Sequence, residues 1–300
     1  MDFRQLQYIC EVAEYHSITK AARVLYISQP ALSHYISKVE EELGVVLFNR
    51  STTPISLTYA GELYVETARQ ILQLSNRINK QFRDISNNLR GTLRVGIPHD
   101  RAAYMLPRIL PVFRSEFPQI EVQLHTEYSE GLIDELYKGR TNIVIMPYSG
   151  EDKRLETQII CREEFLVVAG KGMIQPEHLA PNTKSTVELC KLEKLPFLLL
   201  QKGHASRTAA DALFKECGIS PRIALETNSN ITSYRLAATG LGVTIIPTMV
   251  TKFVQRAPHA ELFSIIPKSF HWDVHAIYLR EAFMGTVEQR FIQIARDLFA

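Results

Sequence analysis

The stretch Ser17-Ile18-Thr19-Lys20-Ala21-Ala22-Arg23-Val24-Leu25-Tyr26-Ile27-Ser28-Gln29-Pro30-Ala31-Leu32-Ser33 decides how this chain begins. Ile18, Ala21, Ala22 and Leu25 recur at three- and four-residue steps, the spacing of a short helix with one buried face. Tyr26-Ile27 makes a brief connection. Ser28 can cap the next helix through its hydroxyl, and Pro30 falls in the first turn, where a missing amide proton costs little. Leu32, Ile36, Val39 and Leu43 line that helix's inner face, and Gly44 is a natural terminator. The small side chains Ala21 and Ala22 let the two helices cross closely, so the spacing predicts a helix-turn-helix. An ordinary helical subdomain is the alternative, since such pairs are common outside nucleic-acid-binding proteins.

Working outward, Phe3, Leu6, Ile9, Cys10 and Ala13 predict a first helix ending near His16-Ser17. On the other side, Val45 to Arg50, the tip Ser51 to Pro54, and Ile55-Ser56-Leu57 read as a small hairpin or wing. Residues 1–58 carry Arg4, Lys20, Arg23, Lys38 and Arg50 against Asp2, Glu11, Glu14, Glu40, Glu41 and Glu42. That balance is less basic than a DNA-binding module usually shows. The distribution helps: the third helix starts with uncharged Ser28, Gln29, Pro30, Ser33 and His34, and its acids cluster at the far end. A helix N-terminus presented to a phosphate backbone offers free amide protons and a favourable dipole.

Thr58 can cap a further helix, with Glu62 in its first turn. From there to Asn88 there is no proline, and Gly61 is the lone glycine. Ile71, Leu74, Ile78, Phe82, Ile85 and Leu89 form a nearly heptad stripe on a helix about 45 Å long. Dimerisation is one reading of that narrow stripe, and packing on the chain's own domain is the other.

After Arg90-Gly91 the periodicity changes to strands alternating with helices: strands at 92–97, 120–125, 143–146, 165–169, 197–200, 223–226, 243–246 and 275–279, with helices at 102–116, 131–138, 207–217, 231–239 and 284–299. This order predicts a mainly parallel sheet in two α/β lobes. Ligands of open α/β sheets bind beyond the carboxyl ends of strands. The candidate contacts are therefore Pro98-His99-Asp100, Tyr148-Ser149, Lys202 to Ser206, and Asn228 to Asn230. There is no G-x-G-x-x-G, G-x-S-x-G, Walker loop or H-E-x-x-H. His271 and His275 enter a strand, where residues four apart are separated by about 13 Å, so they cannot share a metal.

The whole chain has 300 residues, 46% of them hydrophobic and 22% charged, with a formal net charge of +2. That is ample for a real core and argues against disorder. No apolar run approaches membrane-spanning length, and the start lacks a secretory signature, so the expected location is cytoplasmic. Cys10, Cys161, Cys190 and Cys217 show neither zinc spacing nor a disulfide framework and read as small buried thiols.

The N-terminal residues carry a more specific message. Phe3-x-x-Leu6-x-x-Ile9-x-x-Val12-Ala13-Glu14 and Ser17-Ile18-Thr19-Lys20-Ala21-Ala22-x-x-Leu25 resemble the LysR-type transcriptional regulators. So do Ile27-Ser28-Gln29-Pro30-Ala31-Leu32-Ser33, Ile36-x-x-x-Glu40-x-x-Leu43-Gly44-x-x-Leu47-Phe48-x-Arg50, and Leu57-Thr58-x-x-Gly61. The resemblance runs without gaps over some sixty residues, and Gly240-Leu241-Gly242-Val243 with Pro247 extends it into the second half. It implies an α+β multidomain chain. Its parts are an N-terminal winged helix-turn-helix over 1–58, a linker and dimerisation helix over 59–89, and an effector-binding domain over 90–300. That last domain is two-lobed and like periplasmic solute-binding proteins, with lobe I at about 91–161 and 267–300 and lobe II at about 162–266.

By the same resemblance the protein is a sequence-specific DNA-binding regulator and not an enzyme, with no cofactor and no metal. Ser28, Gln29, Pro30, Ser33 and His34 meet the major groove, while Thr19, Lys20, Lys38 and Arg50 hold the backbone. Position 34 is often basic in the family and wing tips often carry arginine, so phosphate attraction is weaker here and affinity leans on multivalency. Ile71, Leu74, Ile78, Phe82 and Ile85 form the dimer stripe, and the family commonly assembles as a tetramer, a dimer of dimers. The implied partners are double-stranded operator DNA, a second copy, a small-molecule effector and RNA polymerase, with no membrane. The effector contacts are expected at His99, Asp100, Tyr148, Lys202, His204, Ser206, Asn228 and Ser229, with Lys202 and His204 favouring an anionic metabolite.

Overall fold

Asp2 opens the first helix with a reciprocal cap: its carboxylate accepts from the Arg4 amide at 3.3 Å, and the Gln5 side chain accepts from the Asp2 amide at 2.9 Å. These and the following details come from a computed structural model that describes residues 2–85, 90–127, 129–266 and 271–300; the side chains of residues 80, 83–85, 129 and 130 also lie outside the described set. The chain divides into two compact units, Met1–Asn88 and Leu89–Ala300.

In the first unit, α1 (Phe3–Tyr15), α2 (Ile18–Val24) and α3 (Gln29–Leu43) follow the sequence-predicted spans closely. Ser17 caps α2 by accepting from the Lys20 amide, and Ser28 caps α3 by accepting from the Ala31 amide, both at 3.3 Å. Gly44 ends α3 at φ +68°, a left-handed backbone that glycine adopts without steric cost. Ile9, Val12, Ala21, Ala22, Leu32, Ile36 and Val39 close into one core. Burying each large aliphatic contributes about 1.5–3 kcal/mol.

The wing is a two-stranded ribbon of β1 (Phe48–Asn49) and β2 (Ser56–Leu57), paired antiparallel. It is fastened at two points. The Ile55 amide donates to the His16 carbonyl at 3.1 Å, and His16 Nδ1 donates to the Ile55 carbonyl, also at 3.1 Å. Glu40 Oε1 accepts from the Leu47 and Phe48 amides at 2.8 and 3.2 Å, while its Oε2 pairs with Arg50 at 2.8 Å.

The long helix α4 (Tyr59–Ile85) starts where Thr58 Oγ1 accepts from the Gly61 amide at 3.1 Å. Gly61 is required there, because a Cβ at that position would stand 2.0 Å from the Leu47 carbonyl oxygen. Val65 and Ala68 are buried, Val65 within the core of α1–α3, and Arg69 pairs with Glu14 at 3.6 Å. The first half of α4 thus belongs to the helical unit. Beyond it the stripe is bare: Leu74, Ile78 and Phe82 are 57, 54 and 66% exposed.

The second unit is built on β3 (Gly91–Gly96), α5 (His99–Glu116), β4 (Ile120–His125), α6 (Ser129–Tyr137) and β5 (Ile143–Pro147). There follow β6 (Leu155–Gly170), β7 (Thr186–Glu188), β8 (Pro196–Leu200), α7 (Ala205–Cys217), β9 (Arg222–Thr227) and α8 (Asn230–Ala238). The chain then forms β10 (Thr244–Pro247), α9 (Met249–Phe253), β11 (Ala260–Ile266), β12 (His271–Leu279) and α10 (Thr286–Phe299). The main sheet runs β4-β3-β5-β12-β6-β11-β7, with β10 also on β6. β3, β4 and β5 are parallel, and β12 lies antiparallel between β5 and β6.

The main sheet is mixed rather than mainly parallel, because β6 meets β10, β11 and β12 antiparallel, and β7, α9 and β11 are absent from the sequence reading. Two further features differ. The strand expected at 165–169 is the second half of β6, which runs unbroken through the expected lobe boundary at 161/162. Its first half pairs with β12 and its second with β10 and β11, so one strand serves both halves of the sheet. Its charged run Cys161-Arg162-Glu163-Glu164 hid the strand, because Arg162 pairs across to Asp273 at 2.8 Å and Glu163 is buried against Arg101. The first helix of this unit starts at His99, not Ala102.

One core cluster joins residues from both halves, among them Ile97, Phe113, Val168, Tyr234 and Phe291; a second packs β8 and α7, and a third lies under α6. The four cysteines are free, but they are not uniformly buried thiols: Cys190 is exposed and the other three are half-buried. Among the described residues no helix is long and apolar enough to cross a membrane, and no cluster of His, Cys, Asp or Glu could hold a metal ion.

Candidate functional site

The helical unit offers an exposed face on α3. Leu32, Ile36 and Val39 point into the core, which turns Gln29, Pro30, His34 and Lys38 outward, with Ser33 half-exposed between them. Ser28 is exposed at the cap, and Thr19 and Lys20 are exposed in the first turn of α2. Eight of the nine residues singled out for DNA lie on α2, on α3 or at the cap between them, all exposed except half-exposed Ser33; the ninth, Arg50, follows β1. That guanidinium donates to Ser37 Oγ at 3.1 Å and to Glu40 at 2.8 Å, fixing the wing to α3 while its side chain stays 40% exposed. Sequence reasoning saw its charge but not that Glu40 holds it. Tyr26, in the turn at φ +56°, is 95% exposed and was not singled out.

The second unit contains a cavity of about 290 Å³, room for roughly ten water molecules or one small metabolite. It lies where β3, β4, β5, β8 and β9 end, as expected of an open α/β sheet. His99, Asp100, His204, Ser206, Asn228 and Ser229 line it, so six of the eight expected effector residues are brought together.

Tyr148 and Lys202 are not among the lining residues. Along β5 the side chains alternate: Ile143 and Ile145 face the central core and Pro147 reaches the cavity, whereas Val144, Met146 and Tyr148 face the cluster under α6. Lys202 stands exposed at a turn tip beside Gly203 at φ +89°. Its sequence neighbourhood suggested the cavity, but the turn points it to solvent.

The sequence reading missed Arg101, Thr126, Glu127, Pro147, Met249 and Trp272, and it left Asn230 in a candidate loop without singling it out. Thr126 and Glu127 follow directly on β4 and were accessible to the strand-end rule. Arg101 and Trp272 were not, since only the fold sets the first turn of α5 against β12.

Electrostatically the cavity wall is largely self-compensated. Arg101, 2% exposed, makes a bidentate pair with Glu163 at 3.0 and 2.9 Å, and Trp272 Nε1 donates to the same carboxylate at 2.8 Å. Burial works against the Glu163 charge, but Arg101 and these hydrogen bonds prevail and hold its carboxyl below the usual range. Asp100 Oδ2 accepts from the Asn230 amide at 3.1 Å and from Asn230 Nδ2 at 3.0 Å, joining the first turn of α5 to the start of α8. His204 Nδ1 accepts from the Ser206 amide at 3.2 Å, and burial lowers the pKa of this ring in spite of Asp100. Two buried atoms of lining residues, Ser206 Oγ and Asn230 Oδ1, have no hydrogen-bond partner. Such atoms cost roughly 1–3 kcal/mol each when unsatisfied.

A winged helix-turn-helix with an exposed, capped third helix, together with a separate α/β unit that carries a polar cavity, defines a ligand-responsive DNA-binding protein. The comparisons agree. Residues 3–62 match the bacterial regulatory helix-turn-helix protein, lysR family, and residues 86–300 match the LysR substrate binding domain. The chain belongs to the LysR family of transcriptional regulators, which is a family of regulators and not of enzymes. It is 29% identical to the uncharacterized HTH-type transcriptional regulator YcgK of Bacillus subtilis (strain 168), over 99% of this chain and 94% of that one. It is 28% identical to the DNA-binding transcriptional dual regulator OxyR of Escherichia coli (strain K12), over 83% and 80%. Among solved structures, a full-length OxyR variant from Pseudomonas aeruginosa superposes with a TM-score of 0.76 at 24% identity, covering 99% and 94% of the two chains. The LysR-family regulator CbnR in complex with its target DNA gives 0.64 at 26% identity, covering 99% of each.

Proposed function

We propose that this regulator binds operator DNA as a dimer, paired into a tetramer, and that a small metabolite in the cavity shifts its regulatory state. The observation that carries the DNA reading is the outward face of α3, where Gln29, Ser33 and His34 sit at a capped, uncharged helix start. Gln29 can read adenine with paired donor and acceptor, and Lys20, Thr19 and Lys38 set register on the backbone. CbnR has been solved on its target DNA, and this chain's similarity to it supports the same use of the helical unit.

The exposed stripe Leu74, Ile78 and Phe82 supports a helix-mediated dimer, with Ile71 half-buried beside it and the Ile85 side chain outside the described residues. The division into a module over 1–58, a linker helix over 59–89 and an effector domain over 90–300 belongs to this reading. So do lobe I at 91–161 and 267–300, lobe II at 162–266, action in the cytoplasm, and RNA polymerase as the partner at the promoter.

The effector acts only insofar as it binds one arrangement of the protein better than the other. An anionic metabolite was expected from Lys202 and His204, but Lys202 does not line the cavity and His204 presents an accepting nitrogen to Ser206. Several relatives are named hydrogen peroxide-inducible genes activators. The lining residues described here include no cysteine, which favours reversible ligand binding over thiol oxidation at this cavity.

Fluorescence anisotropy on DNA from upstream of the protein's own gene tests the reading, with a scrambled duplex as control and two salt concentrations. The expected result is binding that exceeds the control and weakens with salt. Equal, weak binding to both duplexes and to a genomic DNA pool would overturn it.

A further inference from the structure

We propose that Glu40 is a positioning residue for DNA, holding the Arg50 guanidinium beside the wing in the pose that grips a backbone phosphate. The proposal rests on the helical unit being the DNA-binding part of the chain, and it assigns a role there to a residue of the wrong charge for that surface.

Gln29, Ser33, Ser37 and Glu40 follow one another at four-, four- and three-residue steps on α3, so they share one face of the helix. Gln29 and Ser33 open that face at the helix start, and Glu40 continues it toward the far end. A bare carboxylate there would repel the phosphates of a duplex lying along α3. Glu40 is not bare. Its Oε1 accepts from the Leu47 and Phe48 amides at 2.8 and 3.2 Å, and its Oε2 accepts from Arg50 Nη2 at 2.8 Å. Its side chain is 12% exposed and that of Arg50 is 40% exposed, so the acid is covered and the base is presented.

Arg50 is spent on one side alone. Its Nη2 donates to Glu40 and, at 3.1 Å, to Ser37 Oγ. Among the described residues nothing accepts from its Nε or Nη1, which leaves those N–H donors for an outside acceptor. A guanidinium fixed through one nitrogen keeps its plane and its remaining donors in a set direction, and it loses less rotamer freedom on meeting a phosphate than a loose arginine does. Glutamate is the side chain this arrangement needs. A glutamine could still accept from both backbone amides through Oε1, but its amide nitrogen would face Arg50 Nη2 donor against donor.

Glu40→Gln separates this role from plain charge, because taking an acid off a DNA-facing surface should by charge alone tighten binding. Full-length protein is titrated by fluorescence anisotropy against a duplex from upstream of its own gene and against a mixed-sequence duplex. Salt is varied, and the temperature is one at which thermal melting shows each variant folded. Phosphate contacts carry no sequence information, so both duplexes read the effect. Arg50→Ala is expected to weaken binding about ten-fold, the size of one charge-assisted contact, and to lower the salt slope by about one unit. Glu40→Gln should weaken binding roughly three-fold through lost pre-organisation, and should cause no further loss once Arg50 is alanine. Unchanged or tighter binding by Glu40→Gln would overturn the proposal. So would a loss of the same size with and without Arg50, which would make Glu40 merely structural. Lys38→Ala is the control: a lowered salt slope there, with Glu40 and Arg50 both silent, would overturn the positioning role and leave the DNA reading standing. Failure of the unaltered protein on both duplexes would overturn the DNA reading itself.

Discussion

Glu163→Gln should be among the most damaging single substitutions in the second unit. Arg101 and Glu163 are 2% and 6% exposed, and each carboxylate oxygen takes a guanidinium hydrogen bond at 3.0 or 2.9 Å. Removing the negative charge strands a guanidinium that no longer faces a carboxylate, a change that typically costs about 3–5 kcal/mol. For a unit of this size, roughly 2–4 °C of melting temperature accompanies each kcal/mol, so a fall of about 6–20 °C is expected. Thermal unfolding followed by Trp272 fluorescence is the natural assay, because that indole donates to the same carboxylate at 2.8 Å. Arg101→Met should cost a similar amount at neutral pH and less in acid, where the orphaned carboxyl can take up a proton. Joining Arg101→Met with Glu163→Leu should recover most of the loss, since apolar replacements of a buried pair are often neutral or better. The sign of the pH effect in the unaltered protein follows from the lowered Glu163 value. Its stabilisation is present above the unfolded carboxyl's ordinary 4.5 and is lost as pH falls through the folded value. Single substitutions that shift melting by under about 2 °C, or losses that simply add in the double variant, would refute the assignment of a coupled buried pair.

Gln29→Ala should remove discrimination at one operator base pair by about 1–3 kcal/mol while leaving non-specific affinity intact; anisotropy on point-substituted duplexes reads it. Lys38→Ala should instead weaken binding to all duplexes alike and lower the salt slope by about one unit. Replacing both Ile78 and Phe82 by glutamate should halve the mass seen by light scattering, as these side chains are 54 and 66% exposed on the long helix; an unchanged mass would send the dimer contact elsewhere. Burial holds His204 below its ordinary 6.5, so its contribution to stability is complete above that pH and is lost as pH falls toward the folded value. His204→Gln should flatten the melting-temperature profile as pH falls below the ordinary 6.5.

The helical unit was almost fully legible because its signals are local. Ser17, Ser28 and Thr58 cap helices within three residues of themselves, Gly44 stops α3 through its own backbone, and the apolar spacing of Leu32, Ile36 and Val39 names the buried face outright. From that face follows the outward turn of Gln29, His34 and Lys38. The pairing of Arg50 with Glu40 escaped the reading because the two stand ten residues apart, one beside the wing and the other on α3.

The cavity was legible in part, for a physical reason of the same kind. Strand ends announce themselves by short polar loops, which located His99, Asp100, His204, Ser206, Asn228 and Ser229. A loop does not say which way its tip turns, and so Lys202 was included although it points to solvent. The alternation along β5 that sends Pro147 into the cavity and Tyr148 away from it depends on which face of the sheet meets which core. Arg101, Glu163 and Trp272 come from three elements distant in sequence, and their charges and hydrogen bonds cancel only once β6 and β12 pair. Sequence alone pointed to the family and located most of the helices, because caps, periods and motifs act over a few residues. The electrostatic character of the cavity was decided by tertiary structure, because a charge counts only after its partner has been found.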